Sequence, residues 1–175
     1  YTRFYDLQEE IFDDKFWTLE PKYRFSRIKE IFAVYTELLN YEPIEWVINE
    51  IKEKRPPMES EIASKLFKFI RNLILHFPFF DSWDDVWFDM ELINWKGRIE
   101  SIHNFLSKYQ LTGEVKYRFW ENNKKLITYL AINFPSNYLE NQKIYLKDIM
   151  IEKEGVKFSV IMMKQVLDTQ VESIK

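Results

Sequence analysis

The side chains best suited to chemistry in this sequence lie in one short segment, residues 71–76 (RNLILH). The chain contains only two histidines, and histidine is the side chain that exchanges protons most readily near neutral pH. On a helix, residues four apart share a face, so Asn72 and His76 would be neighbours and Arg71 would flank them. An arginine, an amide and an imidazole would therefore meet near one helix end.

These three residue types fit the cleavage of RNA without a metal ion. Arg71 could hold a phosphate and stabilise the charge that develops on it. His76 could take the proton of a ribose 2′-hydroxyl or give one to the leaving 5′-oxygen, while Asn72 orients the imidazole or donates to a phosphate oxygen. The C-terminal end of a helix stabilises a protonated imidazole by about 0.3–1 kcal/mol, which favours the acid role for His76.

The segment falls at the end of the clearest predicted helix, residues 58–77. Pro78 ends this helix, because the residue before a proline avoids the α region. Its apolar residues recur at helical spacing, at Ile62, Leu66, Phe69, Ile70, Leu73 and Phe77. Similar patterns predict helices at 4–13, 21–40, 43–54, 97–110 and 156–173. The sequence therefore predicts a mainly α fold, a helical bundle.

An arginine followed by a polar residue, three further residues and a histidine resembles the signature of the HEPN superfamily, and residues 71–76 match its short form. The resemblance implies a helical bundle that forms a homodimer, in which two such motifs face each other. It further implies an RNA substrate, cleavage without metal or cofactor, and a 2′,3′-cyclic phosphate product. Such domains commonly act as toxins or antiphage effectors, so an antitoxin or effector protein is an expected partner.

Two alternatives stand beside this interpretation. Arg71 could instead pair with an acid while His76 caps its helix, in which case the chain would be a non-catalytic HEPN-like module for protein–protein interaction or dimerisation. The spacing also recurs from Arg98 to His103, but there Ile99 follows the arginine where the signature favours a polar residue. We therefore assign His103 a structural role.

The pattern changes after Gly113, and residues 114–150 are expected to form a small β-containing appendage. Apolar residues at 115, 117 and 119 alternate with Lys116, Arg118 and Trp120, which fits a hairpin or a helix, and we favour strands. Lys116, Arg118 and Trp120, followed by Lys124 and Lys125, interleave basic and aromatic side chains. Such a surface can stack bases and hold phosphates, so we predict RNA contacts here; a half-buried strand with a solvated basic face is the alternative.

The composition limits the remaining possibilities. The chain has 175 residues, of which 46% are hydrophobic and 18% aromatic, so residues 1–175 should form a single ordered domain. A net charge of −3 argues against strong non-specific binding to nucleic acid. The lack of cysteine excludes thiol chemistry and fits the cytoplasm, and no apolar stretch is long enough to span a membrane.

Two further clusters receive structural interpretations. The acidic run at residues 81–91 is better explained by helix capping than by a metal, and Ser82 with Asp85 resembles a capping box. The aromatic residues of the same region are expected in the core or in a dimer interface. They are Trp83, Trp87, Phe88 and Trp95.

Overall fold

A computed structural model describes residues 1–40, 42–54, 57–76, 79–96, 100–122 and 124–174. Within these ranges only the backbone is described for residues 42, 52, 54, 57–62, 76, 94–96, 100–101 and 174. The helices are α1 (Thr2–Phe12), α2 (Pro21–Leu38), α3 (Glu42–Lys54), α4 (Pro57–His76), α5 (Met90–Lys96), α6 (Glu100–Tyr109), α7 (Leu146–Ile149) and α8 (Glu152–Ile174). The strands are β1 (Trp87–Phe88), β2 (Glu114–Glu121), β3 (Leu126–Asn133) and β4 (Ile144–Tyr145).

The protein is mainly helical, as predicted, with two small antiparallel sheets of two strands each. Strands β2 and β3 form a hairpin after Gly113, which confirms strands over a helix in this segment. Strands β1 and β4 form the second sheet, so one of its strands comes from before the segment where β structure was expected. The predicted helix stop at Pro78 and the first three residues of the predicted helix 97–110 lie outside the described residues.

The predicted capping box at Ser82 is wrong. The hydroxyl of Ser82 donates to a carboxylate oxygen of Asp85 at 2.8 Å and does not bond a backbone N–H group. The residues that follow Ser82 make a single 3-10 turn, Trp83–Asp85, instead of an α-helix. One turn is too short to offer the row of free N–H groups that a capping box satisfies.

Helix α8 is the central element of the fold and contacts α1, α2, α3, α4 and β3. It begins at Glu152, four residues before the predicted start, with Glu152 and Glu154 in its first turn, where carboxylates stabilise a helix. Gly155 lets this turn approach Trp83 closely, since a Cβ there would lie 3.1 Å from both Trp83 Cη2 and Met150 Sδ. The first turn of α8 therefore packs directly against Trp83.

A buried ion pair fastens the β2–β3 hairpin to α8. Lys157 Nζ lies 3.1 Å from Glu121 Oε2, and both side chains are only 4% exposed. The Thr128 hydroxyl donates to the other oxygen of Glu121 at 2.6 Å, and the Lys157 ammonium lies 5.6 Å from the ring centre of Phe12 in α1. Burial raises the pKa of Glu121, but the hydrogen bonds from Thr128 and Lys157 outweigh it, so the net pKa lies below its usual value.

Among the residues that the structure describes, we find no helix that combines the length and the apolar character needed to cross a membrane.

The buried pair yields a prediction about stability. Lys157→Met should lower the free energy of unfolding by about 3–5 kcal/mol, because it leaves the Glu121 carboxylate buried without its cation. The double variant Lys157→Met/Glu121→Leu should regain most of this loss, since no charge stays buried. Urea denaturation measures both values, and equal losses in the single and double variants would contradict the prediction.

The same pair predicts a dependence on pH. In the wild type the pKa of Glu121 is lowered, so its stabilising contribution is present above about pH 4.3 and is lost as the pH falls through the folded value. In Lys157→Met, burial without the ammonium raises that pKa. The difference in free energy of unfolding between the wild type and the variant should therefore shrink as the pH falls from about 7 to about 4. A difference that grows over this range would contradict the assignment.

Candidate functional site

Arg71 lies on α4 and lines a cavity of about 110 Å³ that is shared by α2, α3, α4 and α8. Burial lowers the pKa of its guanidinium below the usual value, but arginine has so high an ordinary pKa that the group stays charged. The cavity walls are mostly apolar. They consist of Tyr35, Leu39, Ile48, Ile51, Ser64, Phe67, Lys68, Met162 and Val166, together with Arg71.

The charge of Arg71 has no carboxylate partner in the described part of the chain. Its one hydrogen bond there runs from Nη2 to Oδ1 of Asn72 and is long, at 3.4 Å. The phenol of Tyr35 lines the same cavity, and burial raises the pKa of that phenol, so it stays neutral and cannot balance the arginine. A half-buried cation without a counter-charge is suited to binding an anion from solution.

The structure brings Arg71 and Asn72 together, but it exposes them differently. Asn72 is only 7% exposed, so its amide acts on neighbouring side chains from within the fold. His76 is the last residue of α4, and its side chain lies outside the described residues. Tyr35 was not among the predicted site residues. It lies far from Arg71 in the sequence, and its spacing there is that of a core residue of α2.

Three of the predicted RNA-contact residues share one face of the β2–β3 hairpin. Because side chains alternate between the two faces of a strand, Lys116, Arg118 and Trp120 point away from the core, to which Phe119 belongs. The register places Arg118 opposite Tyr129. Trp120 is 50% exposed and Tyr129 is 55% exposed, so aromatic and basic side chains alternate on an accessible surface.

The two predicted lysines of the hairpin turn lie apart from this face. Lys124 Nζ is 3.3 Å from a carboxylate oxygen of Asp14, and because this pair is exposed to solvent it contributes little to stability. Lys125 is exposed and has a left-handed backbone with φ of 50°. On the strand itself, Lys116 Nζ lies 3.8 Å from Glu114.

Three adjoining clefts around α8 link the hairpin to Arg71. The first lies between α1, the hairpin and α8, and it shares Trp120, Ile161 and Gln165 with the second. The second cleft is also lined by Arg118 and shares Met162 with the cavity of Arg71. Arg71 on one side, and Arg118 and Trp120 on the other, therefore border neighbouring depressions that share lining residues, although they are distant in sequence.

Other polar groups of the described residues have structural surroundings. His103 lies in the middle of α6, with Nδ1 3.1 Å from the hydroxyl of Tyr138, which fits the structural role that we assigned to it. Within the described ranges, no group of three or more His, Asp or Glu side chains is arranged to hold a metal ion. Comparison with protein-family models, with curated proteins and with solved structures finds no match for this chain.

Measurements of stability can test whether Arg71 lacks an ion-pair partner, as it does among the residues that the structure describes. Arg71→Met should change the free energy of unfolding by no more than about 1 kcal/mol, because methionine keeps the packing while no ion pair is lost. Arg24→Met is the matched control, since Arg24 Nη2 lies 2.9 Å from Glu152 and both side chains are largely buried. The control should lose about 2–3 kcal/mol in urea denaturation. A similar loss for Arg71→Met would assign Arg71 a structural role instead.

Proposed function

We propose that this chain is a metal-independent endoribonuclease of the HEPN type. The observation that carries the proposal is Arg71, a half-buried arginine without a carboxylate partner among the described residues, in a cavity that adjoins the cleft lined by Arg118 and Trp120. A cation in apolar surroundings attracts a phosphate more strongly than one in bulk water does. The resemblance of residues 71–76 to the HEPN signature supplies the reaction type.

The proposed RNA strand follows the connected clefts. Its bases stack near Trp120, where base–aromatic contacts tolerate any sequence, and its phosphates pass Arg118. The strand then crosses Met162, which borders both clefts, and brings the scissile phosphate to Arg71. Single-stranded RNA fits this path, because its bases are free to turn out of the backbone.

The proposed chemistry is an attack by the RNA on its own backbone. The ribose 2′-oxygen loses its proton and bonds to phosphorus, the bond from phosphorus to the 5′-oxygen breaks, and that oxygen leaves with a proton. Arg71 stabilises the charge on the phosphate oxygens, and His76 carries one of the two protons. Asn72, buried beside Arg71, orients these groups. The products are a 2′,3′-cyclic phosphate and a 5′-hydroxyl.

Oligomeric state and cellular role follow from the same resemblance. We propose a homodimer in which two copies of the motif form one active site. We further propose a toxin or antiphage role in the cytoplasm, held in check by an antitoxin or released by an effector protein.

The alternative is a non-catalytic HEPN-like module that binds a protein. The observation in its favour is the apolar lining of the cavity beside Arg71, which includes Leu39, Ile48 and Phe67. An apolar side chain of a partner could fill such a cavity, with Arg71 bound to a partner carboxylate at its edge. This function requires no contribution from His76.

Cleavage of RNA in EDTA separates the two functions. We expect the wild type to cut single-stranded RNA and to leave cyclic phosphate ends, while Arg71→Ala loses about 10²–10³-fold in rate and His76→Ala about 10²–10⁴-fold. Arg3→Ala is the matched control, because Arg3 is an exposed arginine paired with Glu30 on another surface. Full activity in Arg71→Ala would refute the nuclease, and binding of a partner protein without cleavage would favour the module.

A further inference from the structure

The largest of the three clefts lies between α1, the β2–β3 hairpin and α8, and it has a volume of about 360 Å³. Sites for small ligands typically measure about 300–1,000 Å³, so this cleft can hold one small planar group. Its lining combines aromatic rings with amides and one ion pair. These residues are Gln8, Phe12, Trp120, Asn122, Val160, Ile161, Lys164, Gln165 and Asp168.

Gln8 is the unusual member of this lining. It is only 7% exposed, yet its side-chain amide forms no hydrogen bond with any residue in the described ranges. Both polar atoms of the Gln8 side chain keep some contact with solvent. Within the described residues, the fully buried side-chain nitrogen and oxygen atoms without a hydrogen bond belong to Trp17 and Gln170. A nearly buried amide without a partner costs free energy, and here it faces a cleft that a ligand can enter.

Two amides without a hydrogen bond in the described residues line this cleft, the nearly buried Gln8 and the exposed Asn122, whereas the nearby carboxylate is engaged. The carboxylate of Asp168 accepts hydrogen bonds from the Tyr5 hydroxyl at 2.8 Å and from Lys164 Nζ at 2.5 Å, so both of its oxygens are engaged. Trp120 is half-exposed and contributes a broad aromatic wall, and Phe12 contributes a second ring. A cleft lined by aromatic rings and a free amide matches a flat heteroaromatic ring that has hydrogen-bonding edges.

We infer that this cleft is a binding site for a single unpaired adenine base. An amide side chain offers N–H donors and a carbonyl acceptor, which match a ring nitrogen and the amino group of adenine. A purine also has more area to stack on Trp120 than a pyrimidine has. Arg118 lines the adjoining cleft, where the phosphate of the same nucleotide would bind.

This inference deepens the proposed function and rests on it, because the proposed nuclease substrate, RNA, is the source of the adenine base. A free adenine nucleotide has the same chemistry and is the other source. The test therefore uses two probes, AMP and a 2′-O-methyl oligonucleotide that carries one adenine among uracils and cannot be cleaved. CMP and the matching oligonucleotide with cytosine are the reference ligands.

Binding by titration calorimetry gives the first readout. The wild type should bind the adenine oligonucleotide more tightly than the cytosine one, and Gln8→Leu should remove this preference because leucine has similar size but no amide. Trp120→Ala should weaken binding by about 5–150-fold. Gln142→Leu and Trp46→Ala are the matched controls, since both residues lie outside the cleft, and they should bind like the wild type.

The outcomes separate the site from the nuclease. Adenine preference in the oligonucleotide without binding of AMP supports the site with RNA as its source, and binding of AMP alone supports the site with a free nucleotide. Arg71→Ala, which lies outside this cleft, should lose cleavage but keep the adenine preference. An inactive wild type with Gln8-dependent adenine binding would refute the nuclease alone. Unchanged preference in Gln8→Leu, or a wild type that prefers adenine over cytosine with neither probe, would refute the site.

Discussion

The buried ion pair between Glu121 and Lys157 is the interaction on which the candidate site depends. It joins the hairpin to α8 where water is nearly excluded, and the Lys157 ammonium also lies near the ring of Phe12 in α1. Trp120 and Asn122 flank Glu121 in the chain and line the cleft that we assign to a base. Because a buried charge tolerates little displacement from its partner, the pair holds three walls of this cleft in register.

Arg71 presents the opposite situation on another side of α8. Arg24 and Lys157 both have carboxylate partners, whereas Arg71 has only a long hydrogen bond to Asn72 within the described residues. Within the described residues, the charges of Arg24 and Lys157 are thus compensated by carboxylates and the half-buried charge of Arg71 is not. In the proposed complex, a base bound on one side of the helix and a phosphate bound on the other would give a single strand two points of attachment, which would fix its direction.

Helical periodicity in the sequence was sufficient to predict the main helices, because apolar residues spaced three and four apart must face the core. It could not predict β1 or α5, which are short: β1 depends on pairing with β4, and α5 packs against α6. Alternation predicted the outward face of β2, but the neighbours of Trp120 depend on how α8 packs. Gln8 was missed, although its position four residues after Phe4 on a buried face was a usable signal.

The most direct test of the account is mass-spectrometric mapping of ultraviolet cross-links between the protein and an uncleavable single-stranded RNA. If one strand occupies the connected clefts, cross-links should appear on Trp120 or Phe12 and also on residues beside Arg71, such as Phe67. Cross-links confined to exposed aromatic residues outside the clefts, such as Trp46 or Phe79, would contradict the proposed path of the RNA.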